Sequence, residues 1–165
     1  MQPLENLQES FQTTENAWKK EQKARKLSAK PFLPPPKLNI SQWAEAERRL
    51  SPEASAEPGQ WQNNRTPYLI GIMEAVSDPA VSEVVAMCGS QLGKTEVCLN
   101  ICGYHIAHDP SPILVVQPTL EMAQAWSKDR LAPMLRDTPT LQGKVADPRS
   151  RDSGNTTLHK SFPGG

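Results

Sequence analysis

Helical spacing is clearest at Leu69, Ile72, Met73 and Val76, which recur at i, i+3, i+4 and i+7 and so share one face of a helix. Thr66-Pro67 precedes that run and Asp78-Pro79 follows it. The pattern predicts a helix capped by Thr66, with Pro67 at its first position and its end at Asp78. Upstream, Ser41 to Leu50 reads as a shorter helix with Ser41 as its cap and Pro52 beyond it. Residues 51–65, with Pro52, Pro58, Gly59, Asn63 and Asn64, read as loop.

The period changes downstream. Val81 to Cys88 and Ile113 to Val116 are near-continuous apolar runs, separated by a helical stretch from about Thr95 to His108. Apolar strands flanking a helix are the mark of a parallel strand–helix–strand unit, whose strands are covered on both faces. The sequence therefore predicts strands near 81–88 and 112–117, adjacent, parallel and joined by a right-handed crossover. Pro118-Thr119 opens another helix through about Leu135, residues 147–154 are polar without periodicity, and Asn155 to Phe162 reads as a short strand. No internal repeat is visible.

Charge divides the chain more sharply than hydropathy does. The 165 residues carry 18 Lys and Arg against 18 Asp and Glu, a balance that argues against a free-standing nucleic-acid binder driven by phosphate attraction. Between residues 19 and 37, however, Lys19, Lys20, Lys23, Arg25, Lys26, Lys30 and Lys37 face only Glu21. Pro31 and Pro34-Pro35-Pro36 end any helix there and favour extended geometry. Residues 1–38 thus read as a basic, Pro-rich, flexible arm and linker, and residues 39–165 as the folded part. A solvated tail and a weak electrostatic contact with DNA or an acidic protein both remain open for the arm.

The 37% hydrophobic content is below that of ordinary globular domains and allows one modest core. No apolar run is long enough for a bilayer, the N-terminus has no signal-peptide character, and three cysteines make no disulfide framework. A soluble, cytosolic protein is expected. Cys98, Cys102 and His105 fall at i, i+4 and i+7 of one helix, but without a fourth ligand or a CxxC pair they read as packing residues rather than a zinc site.

The segment richest in chemistry is Cys88-Gly89-Ser90-Gln91-Leu92-Gly93-Lys94-Thr95. It matches the end of the P-loop pattern G-x-x-x-x-G-K-[ST] at Gly93-Lys94-Thr95 and departs from it at Cys88, where the first glycine belongs; Gly89 comes one residue later. Small residues let backbone N–H groups close around phosphate oxygens, and a helix N-terminus adds its own donors and partial positive charge. Lys94 would reach the β- and γ-phosphates and the Thr95 hydroxyl would ligate Mg²⁺. The nucleotide-binding residues expected are Gly89, Ser90, Gln91, Gly93, Lys94 and Thr95, with ATP and Mg²⁺ as cofactors. The expected fold class is α/β: a P-loop NTPase-like parallel sheet with flanking helices, incomplete, behind the basic arm.

The order of short motifs narrows this further. Trp43-Ala44-Glu45, Pro58-Gly59-Gln60-Trp61, Thr66-Pro67-Tyr68, Ile72-Met73-Glu74-Ala75, Ser90 to Thr95, Gln117-Pro118-Thr119 and Asn155-Thr156-Thr157-Leu158 follow one another along the chain. From about residue 39 to 165 this succession resembles the N-terminal part of the large terminase subunit of lambda-type tailed phages, the GpA family. The resemblance implies a packaging ATPase that couples hydrolysis to DNA translocation into a procapsid. It also implies, in the full-length protein, an endonuclease that cuts concatemeric DNA. Double-stranded phage DNA, a small terminase subunit and the portal or procapsid would be partners of an oligomeric motor in the host cytoplasm, with no membrane involved.

The resemblance also implies an aromatic upstream of the P-loop that stacks on adenine, with Tyr68 the first candidate and Trp61 the second. Motors of this kind often carry an arginine inside the loop, where this chain has Gln91 and Leu92; Arg130 is another available cation. The acidic pair that activates water in such ATPases is not among these residues: Asp109 and Asp129 fall at helix ends, and Asp147 and Asp152 in the polar segment. No catalytic residue is therefore assigned, and the chain alone is expected to bind nucleotide without hydrolysing it at a motor-like rate. Two other readings stay open: a fragment of a helicase-like P-loop translocase, and a non-catalytic remnant that binds a partner.

Overall fold

The computed structural model describes residues 16–25, 37–145 and 155–165, and the chain divides into two units, Met1–Lys37 and Leu38–Gly165. In the first unit residues 16–25 form a helix, α1, with every side chain exposed and a Glu21–Arg25 ion pair of 2.8 Å one turn apart. The prolines at 31 and 34–36 lie outside the described residues, as do Asp147 and Asp152.

The second unit is built from helices with one small antiparallel sheet. Its first helix, α2 (Ile40–Glu47), starts earlier than Ser41 predicts. Asn39 is the cap: its side chain accepts from the Gln42 amide at 2.8 Å, and the Gln42 side chain accepts from the Asn39 amide at 3.1 Å. This reciprocal box satisfies two helix-start donors at once, whereas Ser41 Oγ merely donates to Asn39 Oδ1. Strands β1 (Arg49–Leu50) and β2 (Gly59–Gln60) pair antiparallel. Two 3₁₀ turns, Asn63–Arg65 and Pro67–Leu69, lead into α3 (Ile70–Ser77), which Asp78 ends as expected. Thr66 is not its cap, for its hydroxyl is buried without a partner.

Helix α4 (Lys94–Ala107) starts at Gly93. Helix α5 (Leu120–Trp126), capped by the Thr119 side chain, continues through a π-helical turn, Ser127–Leu131, into α6 (Ala132–Asp137). Pro133 supplies the reason for the widened turn: it has no N–H for the carbonyl four residues back and its ring would strike it. The core lies where α2, α3, α4 and α6 meet, around Ile40, Trp43, Leu69, Met73, Leu99, Met134 and Leu141. Trp43 lies directly against Gly103 of α4, where any side chain would enter its ring.

The predicted parallel pair does not form. Among the described residues the β1–β2 ladder is the sole sheet, and neither 81–88 nor 112–117 is a strand. Residues 81–87 are all exposed, Met87 by 98%. Along 113–116 exposure alternates, with Ile113 and Val115 turned to the core and Leu114 and Val116 turned out. β-Branched composition favours a strand only where another backbone supplies the ladder hydrogen bonds, and here none does. Asn155 to Phe162 is likewise no strand: the Thr156 amide donates to the His159 carbonyl at 2.9 Å and the Ser161 amide to Asn155 Oδ1 at 2.6 Å, closing a local turn. Among the described residues no helix is long and apolar enough to cross a membrane.

Candidate functional site

The loop from Cys88 to Thr95 closes through its own lysine. Lys94 Nζ donates to the carbonyl oxygens of Cys88 at 3.2 Å and Gly89 at 3.1 Å. Gln91 and Gly93 take left-handed backbone angles, φ 57° and 84°, which bend the chain into a tight turn at the start of α4. Gly93 brings no side chain to cap α4, so the first amides of that helix keep the free donors that every helix N-terminus has. Cys88 stands at the first-glycine position without strain, because among the described non-glycine residues only Gln91 has positive φ. What Cys88 contributes to the loop is a carbonyl, which any residue supplies. Lys94 and Thr95 are both exposed.

Beside the loop is a cleft of about 590 Å³ whose walls include Gln60, Trp61, Arg65, Thr66, Gln91 and Glu96. It joins Trp61 to the loop residue Gln91. Tyr68 is not part of that wall; it is 55% exposed on the turn before α3. Trp61 is 5% exposed and its indole N–H donates to Asn63 Oδ1 at 2.7 Å, so most of its ring is committed to the core. Arg130 donates to the Ala54 carbonyl at 2.8 Å, holding the 51–57 loop.

Periodicity alone does not reveal Arg48 and Glu96. Glu96 lies in the first turn of α4 and shares the cleft wall with Gln91. Arg48 Nη2 donates to Glu96 Oε2 at 3.0 Å from a guanidinium that is 3% exposed. Burial pulls the Arg48 pKa down, and the Glu96 and Asp137 carboxylates push it back up. A second Arg–Glu pair, Arg65 with Glu57, engages the other carboxylate of the cleft wall. The one usable sequence signal was Glu96's place directly after Gly-Lys-Thr; nothing distinguished Arg48 from Arg49.

On α4, Cys102 is buried and its thiol is pushed up to about 12, chiefly by desolvation, while Cys98 is exposed. His105 Nδ1 meets Ser111 Oγ at 3.0 Å and the Asp109 carbonyl at 3.1 Å. Among the described residues no three His, Cys, Asp or Glu side chains gather as a metal cage.

Residues 55–165 match the family model described as "Phage terminase large subunit gpA, ATPase domain". The chain belongs to this family. Over 134 residues it is 28% identical to the protein named "Terminase, large subunit" of Enterobacteria phage P21, and 27% identical to the protein of the same name of Escherichia phage lambda. Each alignment covers 81% of this chain and 20% of the relative, so the chain spans about a fifth of their length. No solved structure matches it.

Proposed function

We propose that this chain is the nucleotide-cradling part of a terminase large subunit, binding ATP with Mg²⁺ at the loop Cys88–Thr95. The observation that carries this reading is the loop itself: a lysine folded across its mouth, two left-handed residues, and an uncapped helix start behind them. These features suit a polyphosphate, since backbone N–H groups and a helix N-terminus favour anions. The amides of Gly89, Ser90, Gln91, Gly93, Lys94 and Thr95 would hold phosphate oxygens. Lys94 would leave the Cys88 and Gly89 carbonyls for the outer phosphates, and the Thr95 hydroxyl would take the metal. Bound Mg²⁺ supplies charge neutralisation between the phosphates. For the base, Tyr68 keeps the exposed ring that stacking needs, and Trp61, on the cleft wall beside Gln91 but buried in the core, comes second.

In the longer protein this part would serve ATP-driven packaging of double-stranded DNA into a procapsid in the host cytoplasm. A small subunit and portal would be its partners, and an endonuclease its companion activity. The chain alone would not turn ATP over at a motor-like rate. In-line transfer needs a positioned water as well as a phosphate cradle, and Glu96, the cleft carboxylate on α4, is held by the buried Arg48. The sheet of an NTPase-type fold belongs to the same proposal, with 81–88 and 112–117 acquiring ladder partners in the longer protein.

Titration of the chain with MgATP, beside Lys94→Ala, tests the site. Lys94→Ala should lose at least about tenfold in affinity, the size of one charge-assisted contact. Equal affinity of the two proteins would overturn the assignment of Lys94. Steady ATP turnover by the chain, abolished by Lys94→Ala, would overturn the inactivity.

A further inference from the structure

A carboxylate in the first turn of a phosphate-binding helix poses an electrostatic problem. Glu96 is two residues beyond Lys94, about 3 Å along the helix axis, and it lines the same cleft as Gln91. The positive end of α4 attracts the Glu96 carboxylate as it would attract a phosphate. An unpaired Glu96 would therefore compete with the incoming anion and repel it.

The structure answers this with a buried cation from a distant part of the chain. Arg48 closes α2, its amide donating to the Ala44 carbonyl at 3.1 Å and its carbonyl accepting from the Trp61 amide at 3.0 Å. With its backbone held at both ends, the guanidinium projects inward, donates to the Arg49 carbonyl and reaches Glu96 Oε2 at 3.0 Å. Its Nε has no partner. Fold stability alone is a poor reason for this pair: buried ion pairs are often no more stabilising than apolar side chains of the same volume, and an unsatisfied guanidinium donor adds a cost.

We propose that Arg48 is a positioning residue for the phosphate site: it neutralises Glu96 and fixes its carboxylate on the buried guanidinium, so that α4 presents a net positive end to the nucleotide. This rests on the reading of the loop as a nucleotide site and adds to it a residue outside the motif. Its signature is dependence on phosphate number. Repulsion from an uncompensated Glu96 grows with the ligand's charge, whereas a general loosening of the fold weakens every ligand alike.

The test titrates adenosine, ADP with Mg²⁺ and ATP with Mg²⁺ into the 165-residue chain and its variants. Arg48→Gln should leave adenosine unchanged and weaken ADP about threefold and ATP about tenfold, as added like charge at short range requires. Arg48→Gln/Glu96→Gln should restore ATP binding to within about twofold. If Arg48→Gln does not fold, Glu96→Gln alone carries the test and should tighten ATP more than ADP. An equal loss for all three ligands, an unrescued double variant, or Glu96→Gln without selective tightening overturns the proposal. Lys94→Ala separates the two readings. If Lys94 matters and the phosphate dependence is absent, only the role of Arg48 falls; if the unsubstituted chain binds neither ADP nor ATP, both fall.

Discussion

Leu69 fills the space that a side chain at position 93 would need: a Cβ on Gly93 would lie 2.8 Å from Leu69 Cδ1. Leu69 is fully buried at the entrance to α3, and Gly93 is the left-handed residue from which α4 starts. This contact seats the loop on the core. It requires glycine twice, once for φ 84° and once for the close approach.

Gly93→Ala should accordingly destabilise the chain by about 2 kcal/mol or more, the combined scale of left-handed strain and overpacking. Urea unfolding measures it. Leu69→Ala should cost less in the Gly93→Ala background than in the unsubstituted chain, because it removes the overpacking and leaves only the strain. Full additivity of the two substitutions would mean that they do not touch.

Trp61 and Tyr68 should separate cleanly. Trp61→Ala empties a core position and should cost about 3–5 kcal/mol, while Tyr68→Ala, at an exposed site, should stay within about 0.5 kcal/mol. Thermal and urea unfolding of the two variants decides it. A Tyr68→Ala loss as large as that of Trp61→Ala would mean that Tyr68 packs rather than faces solvent.

Thr66 tests a different balance. Its hydroxyl is buried and unpartnered, so Thr66→Val should be neutral or mildly stabilising. Thr66→Ser keeps the orphaned hydroxyl, loses a methyl and should cost about 0.8 kcal/mol. Were Thr66 the helix cap that its sequence position suggests, valine would instead cost about 1 kcal/mol.

Cys102 gives a pH dependence of known sign. Its thiol is raised from 9.0 to about 12 in the fold, so the unfolded chain ionises first as pH rises. The contribution to stability is intact below pH 9 and falls by roughly 1.4 kcal/mol per pH unit between 9 and 12. Unfolding free energies of the chain and of Cys102→Ala, compared across that range, isolate the effect from other alkaline titrations; parallel curves would show that burial does not hold the proton.

Local chemistry, legible without the fold, reached the extent of α4, the end of α3 at Asp78, the Gly-Lys-Thr segment that opens α4 and the family, but it put the start of α3 at Pro67, where the structure has a 3₁₀ turn. Each of these depends on neighbouring residues: helical spacing, a proline at a first turn, a glycine before a lysine. Asn39 displaced Ser41 as a cap because its carboxamide meets Gln42 three residues on, a local signal that the sequence also carries. Contacts between distant segments decided the rest. The runs at 81–88 and 112–117 had the composition of strands, but a strand is made by a partner backbone, which composition cannot supply. Of two aromatics near one loop, the core took Trp61 and left Tyr68 in water. Of two adjacent arginines, the turn after α2 sent Arg48 inward to Glu96, a pairing across 48 residues that no local pattern encodes, because it arises only when α2 and α4 pack together.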